Sequence, residues 1–225
     1  MKNSDFTVEL RIAQKGEVQT VRDEAVRYLG YRKITPDENI MRMIEECEQE
    51  LLNVVQARYC CVRTSVEFVR ENVVDIGFGD VQSHDLYNHL KGCHSVILFA
   101  ATIGIGVDRL IAKYNRINAA KGVVLDALGS SAIEYWCDKA ELELTKNDEK
   151  HCARFSAGYG DFSLEYQRDF VSCLDVARKL GITLSDSLLM TPTKSVTAVI
   201  GIGAESRTCG NKCMSCDNRN CIYRS

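Results

Sequence analysis

Apolar positions recur along this chain in three rhythms, and each predicts a different element. An alternating piece, Phe6 to Ile12, reads as a short strand, and Val21 to Gly30 as a short helix ended by glycine. Thr35-Pro36-Asp37-Glu38 is a helix start: Thr35 is the expected cap, Pro36 fits the first turn, and two acids meet the positive end of the dipole. That helix is expected to run to about Ala57. Ile40, Met43, Ile44, Cys47, Leu51 and Val54 share one face, and Glu45, Glu46, Glu48 and Glu50 fall mostly on a solvated one. Tyr59 to Phe68 alternates again and Val73 to Gly77 follows a turn at Glu71-Asn72, which predicts a hairpin. Ser83 or His84 opens a short helix ending at Gly92, and Ser95 to Ala101 is an unbroken apolar run, the pattern of a strand buried on both faces.

The second half is more helical. Thr102-Ile103-Gly104-Ile105-Gly106-Val107-Asp108-Arg109 suggests a dinucleotide loop, but Arg109 stands where the third glycine is needed for close helix packing. The sequence is read instead as a tight turn from strand to helix. Asn118 to Leu144 is the longest helical pattern, and its small residues Ala127, Gly129, Ser130, Ser131 and Ala132 imply a close neighbour. Glu134 sits inside this apolar run, where a carboxylate needs a partner such as a salt bridge. A single helix is expected from Leu164 to Leu180, closed by Gly181. Two extended runs follow, Ser187 to Thr191 and Ser195 to Ile200, divided by Pro192.

The length of 225 residues, 25.2 kDa, suits one domain with a tail, divided here as residues 1–205 and 206–225. A net charge of −3 from 28 basic and 31 acidic residues carries no polyanion-binding signature. No apolar run reaches the ~20 residues of a bilayer span, and Met1-Lys2-Asn3-Ser4-Asp5-Phe6 has no leader pattern, so a cytoplasmic protein is expected. Seven of the eleven cysteines are scattered through apolar patterns and read as buried thiols in a reducing compartment. His84 and His89 lack a third ligand at usable spacing and are read as ordinary histidines.

The most specific stretch begins at Arg154-Phe155-Ser156-Ala157-Gly158-Tyr159, a basic residue leading to a Gly-flanked aromatic. This R-x-x-x-G-Y pattern, the helix closing in L-G-I-T-L-S-D-S and the M-x-P-x-x-x-V run beyond it resemble the reactivation domain of cobalamin-dependent methionine synthase. The resemblance is strongest over Arg154 to Ala204 and extends from about Ser95. It implies an α+β fold, a twisted and mainly antiparallel sheet bent around a cleft with flanking helices. It also implies a stand-alone methyltransferase component that binds S-adenosylmethionine and serves a cobalamin-binding methionine synthase chain, with one electron from a donor such as flavodoxin or ferredoxin. Arg154 would grip the ligand's carboxylate as a fork, and backbone at Ser156 to Gly158 would meet adenine or amino-acid atoms. The resemblance places a ligand-binding acid near Glu134 and the tyrosine of G-Y, Tyr159, towards the corrin. Gly160-Asp161-Phe162-Ser163 departs from the family's turn after G-Y, and Ala198 and Ile200 stand where the family favours glycine and an aromatic. The rival reading is a non-catalytic corrinoid-binding or redox module on the same fold.

The tail lies outside the resemblance. Cys209, Cys213, Cys216 and Cys221 are separated by small polar turn formers, a spacing that can wrap one ion or cluster. The alternatives are a fully ligated [4Fe–4S] cluster, structural zinc or redox-active thiols.

Overall fold

The computed structural model describes residues 7–31, 34–146 and 150–203. Their centre is a four-stranded antiparallel sheet in the order β1, β2, β6, β9. Its strands are β1 (Glu9–Ile12), β2 (Arg58–Ser65), β6 (Ser95–Thr102) and β9 (Ser195–Ile202). The unbroken apolar run of β6 is explained by its position between β2 and β9, with core on both faces. Ile97, Phe99 and Ala101 face one cluster, with Tyr59, Cys61, Ala198 and Ile200; Val96, Leu98 and Ala100 face the other, with Cys60, Val62 and Val199. Alternation of side chains across the pleat sorts one strand into two cores.

Helices α1 (Arg22–Tyr28), α2 (Glu38–Val54), α4 (Ile105–Ile117) and α5 (Ala119–Leu144) build the first cluster. α5 packs against the other three and against β6 and β9, so it is apolar nearly all round, with Trp136 fully buried. Gly104, at φ +89°, makes the strand-to-helix turn into α4. The second cluster holds α3 (His84–Leu90), α6 (Gln167–Cys173), α7 (Val176–Leu180) and a small sheet of β3 (Glu67–Arg70), β4 (Val73–Asp75) and β5 (Asp80–Gln82). β7 (Thr183–Leu184) and β8 (Met190–Thr191) form a separate two-stranded ladder.

Several expectations are corrected. Asp37, not Thr35, caps α2, accepting from the backbone N–H groups of Asn39 and Ile40 at 2.9 and 3.0 Å. The hairpin at Glu71-Asn72 joins β3 to β4, while β2 belongs to the main sheet. The expected helix from Leu164 to Leu180 is three pieces, a 3-10 turn at Leu164–Tyr166, then α6 and α7. Asp175 takes a left-handed conformation (φ 49°, ψ 45°) that breaks the ladder and sends Leu174 and Val176 separately into the core. Of the run before Pro192, only Met190–Thr191 pairs as a strand.

No helix among the described residues is long and apolar enough to cross a membrane. No disulfide joins the seven described cysteines, and six of them are buried, as expected of small core side chains. His84 lies between Asn72 and Asn88 at 2.9 and 2.8 Å, and the His89 ring nitrogen lies 2.8 Å from the Ala153 carbonyl. Both have the ordinary partners expected of them.

Candidate functional site

The segment carrying R-x-x-x-G-Y runs antiparallel along the free edge of β9. His151 pairs with Ile202 and Phe155 with Val199, the latter through two backbone bonds of 2.9 and 2.8 Å. This register points Arg154 at α5, where it is only 7% exposed. Its Nη1 donates to Glu141 at 2.6 Å, and its Nη2 to Asp138 at 2.6 Å and Glu134 at 3.2 Å. The three acids lie at i, i+4 and i+7 on α5 and so share one helical face. Desolvation works against the guanidinium's charge, but Cys137, Asp138 and Glu141 more than offset it and raise its pKa. Arg154 and Glu134, read from the sequence as separate ligand contacts, are therefore partners. The buried polar requirement at Glu134 is met by a salt bridge at its outer end, with 40% of its side chain still exposed.

After Phe155 the chain closes a tight turn. The Tyr159 N–H donates to the Ser156 carbonyl at 3.1 Å, Gly158 N–H to the Phe162 carbonyl at 2.7 Å, and Phe162 N–H to the Tyr159 carbonyl at 3.0 Å. The Gly158 N–H expected to meet ligand is thus taken by the turn itself. Gly158 sits at φ +97°, open to glycine and strained for other residues. The turn docks on α3 through Asp161, whose carboxylate accepts from Ser83 Oγ at 2.5 Å and the N–H groups of His84 and Asp85 at 2.8 and 3.0 Å. Burial alone would raise the Asp161 pKa, but the Ser83 hydroxyl and the N–H groups of Asp85 and His84 outweigh it and lower the value. Gly160 is required by close approach, since a Cβ there would lie 1.9 Å from Asp85 Oδ2. The departure from the family pattern at Gly160-Asp161 is this docking contact. Tyr159 projects from the turn 55% exposed, its ring edge-on to Phe155 at 6.1 Å.

A cleft of about 320 Å³ opens at Glu134, walled by Tyr28 of α1, by Ser130, Ile133 and Glu134 of α5, and by the stretch 193–196 entering β9. The volume is at the low end for sites that take one small ligand. Its third wall is positioned from α4: Asp108 accepts from the Thr193 N–H and hydroxyl, both at 2.8 Å, so the first turn of α4 holds the stretch 193–196 in place. Lys194 reaches across to α5, donating to Ser130 Oγ and forming an ion pair with Asp126 Oδ1, each at 2.9 Å. Burial raises the Tyr28 pKa, and the charges of Glu24 and Glu134 add to it, so the negative charge of Glu134 is felt inside the cleft.

Of the residues singled out in the sequence, Glu134 lines this cleft and Arg154 holds Glu134 from behind. Ser156, Gly158 and Tyr159 form the adjoining turn. Cys209, Cys213, Cys216 and Cys221 lie outside the described residues. Among the described residues no group of three or more His, Cys, Asp or Glu side chains is placed to hold a metal. Sequence reasoning missed Tyr28, Asp161 and Lys194. Their partners are 76 to 106 positions away or, for Lys194, across the cleft on another element, and no local spacing announces such contacts.

The sheet, its two helical layers and a small cleft carrying both charge signs make up an α+β domain. No family model matches the chain, and no curated protein matches it. Its fold is shared with a solved structure described as the crystal structure of the MetH reactivation domain bound to AdoHcy, with a TM-score of 0.62 and 13% identity over 90% of this chain and 80% of that one. The expected fold, the reactivation-domain arrangement of mixed helices and antiparallel sheet, is the one observed.

Proposed function

We propose that this chain is a reactivation component that binds S-adenosylmethionine in the cleft beside Glu134 and offers its methyl group to cobalamin carried by a separate protein. The supporting observation is a cleft with an acid and a base on its walls, the acid paired with the arginine of R-x-x-x-G-Y, on the fold of a domain solved with AdoHcy. S-adenosylmethionine brings an ammonium, a sulfonium and a carboxylate. The Glu134 carboxylate, oriented by Arg154, suits the ammonium, and its charge would also favour the sulfonium over the neutral thioether left after transfer. Cobalamin on the partner would supply the methyl acceptor, with one electron from an outside donor such as a flavodoxin or ferredoxin. Tyr159, exposed at the tip of its turn, is the side chain suited to meet the corrin. The Cys-rich tail is read with this function as a [4Fe–4S] site, zinc being the alternative.

Calorimetric titration with S-adenosylmethionine and AdoHcy tests the reading. Saturable binding, lost on Glu134→Gln for the charged ligand more than for AdoHcy, is expected. A chain that binds neither, alone or with a cobalamin protein, does not have this function. The second reading, a corrinoid-binding or redox module without methyl transfer, is favoured by the engagement of Arg154 with three protein carboxylates, and it predicts partner binding without nucleoside binding.

A further inference from the structure

An amino-acid ligand needs a cation for its carboxylate, and Arg154 is poorly placed to provide one. Its side chain is 5% exposed, faces three carboxylates and does not line the cleft. Lys194 does line it. We infer that Lys194 is the carboxylate-binding residue of this cleft and that, with Glu134, it forms a subsite for a zwitterionic α-amino acid group. This rests on reading the cleft as an S-adenosylmethionine site.

Three observations carry it. Lys194 Nζ bonds to Ser130 on α5, and Ser130 and Glu134 are four residues apart, so cation and anion stand about one helical turn apart on the same wall. That matches the arrangement of an α-amino acid, which carries an ammonium and a carboxylate on one carbon. The protein acid on Lys194 is Asp126, whose side chain is 60% exposed and can turn into water at little cost when a ligand carboxylate arrives. Among the described residues, the ammonium donates one hydrogen bond, to Ser130, and forms an ion pair with Asp126. Finally, the helix makes room for this lysine. Gly129 stands in the middle of α5, where glycine is costly, and a Cβ there would lie 3.3 Å from Lys194 Cε and 3.3 Å from Val107 Cγ1. The missing side chain lets the lysine stem lie flat against α5 and delivers its ammonium to the cleft. Arg154 then acts as a positioning residue for Glu134.

The test compares ligands with and without a carboxylate on the full chain. Wild type and Lys194→Met are titrated calorimetrically with S-adenosylmethionine, its decarboxylated analogue and 5′-methylthioadenosine, with circular dichroism confirming the fold of each variant. Lys194→Met should bind S-adenosylmethionine about 10- to 100-fold more weakly, the scale of a lost charge-assisted bond, while the two analogues lacking the carboxylate bind as to wild type. Lys194→Arg should recover most of the loss. The inference is overturned if Lys194→Met keeps its affinity, if it loses all three ligands equally, or if Arg154→Met alone abolishes discrimination by the carboxylate. Wild type that binds all three ligands alike removes Lys194 and leaves the cleft reading standing; wild type that binds none removes both. Should Lys194→Met fail to fold, Gly129→Ala, which crowds the lysine stem, must show the same selective loss, and a variant that keeps the wild-type preference for S-adenosylmethionine over the two analogues overturns the assignment.

Discussion

Replacing Arg154 with Met keeps the length of its stem and removes the charge that three carboxylates share. The inner contact, to Glu141, is the most valuable: the guanidinium is 5% and the Glu141 side chain 15% exposed, at 2.6 Å. Breaking a buried pair by removing one partner costs about 3–5 kcal/mol, because a desolvated charge is left behind. The Asp138 contact is as short, but its acid is 69% exposed and contributes no more than about 1 kcal/mol. Glu134, 40% exposed at 3.2 Å, lies between. Water reaching the two outer acids reduces the total, so the expected loss is about 2–4 kcal/mol, or a melting temperature lower by about 5–15 °C for a chain of this size. Urea unfolding at neutral pH measures it. The mechanism adds a second requirement: much of the deficit is repulsion among acids at i, i+4 and i+7, so it should shrink in high salt. A variant within about 0.5 kcal/mol of wild type, the range of ordinary surface substitutions, or a deficit unchanged by salt, would refute the assignment of Arg154 as an internal counter-ion.

Asp161→Asn should cost about 1 kcal/mol at neutral pH, as for a lost cap, by loosening the turn from α3. Because the folded pKa of Asp161 is lowered, its contribution is complete above the unfolded value and disappears as pH falls through the folded one. The gap between wild type and Asp161→Asn should therefore begin to narrow as pH falls below about 4, the ordinary aspartate value, and a gap that does not narrow on acidification would contradict this. Gly160→Ala places a methyl group against Asp85 and should undock the same turn, seen as faster amide exchange from residues 156–162. Tyr159→Ala should leave S-adenosylmethionine affinity nearly unchanged while impairing methyl transfer to the cobalamin partner; an equal loss of ligand affinity in a folded variant would move Tyr159 into the cleft. Anaerobic purification followed by metal analysis and visible and paramagnetic spectroscopy should find iron bound through Cys209, Cys213, Cys216 and Cys221, with serine at Cys213 and Cys216 abolishing the signal. Stoichiometric zinc without iron, even after reconstitution, would make the tail a structural clip.

Local physics made much of this protein legible from its residues alone. Period-two runs and the unbroken apolar run predict β1 and β6, because side-chain alternation and burial on two faces act within a few residues. Ser83 as the cap of α3, Gly104 at the turn into α4 and Asn118 as the cap of α5 are equally local, since each satisfies or bends backbone next to it. The R-x-x-x-G-Y pattern directed attention to the segment that pairs along β9, and a carboxylate inside an apolar helix correctly demanded a partner at Glu134. The identity of that partner was a matter for tertiary structure. Arg154 follows Glu134 by 20 positions, and only pairing of Phe155 with Val199 turns it onto α5 rather than towards solvent or ligand. The break at Asp175 was likewise hidden, because Leu174 and Val176 keep a helix-compatible pattern while two separate demands of the core force the left-handed residue between them. Lys194 and Asp161 carry no signal of their own: a charged residue in a polar turn is ordinary until chain closure sets it beside Ser130 and Asp126, or against the first N–H groups of α3. Hydrophobic period and capping are settled by neighbours along the chain, whereas the pairing of charges around a cleft is settled by which distant elements pack together. That is why the elements could be read from the sequence and the charge arrangement of the site could not.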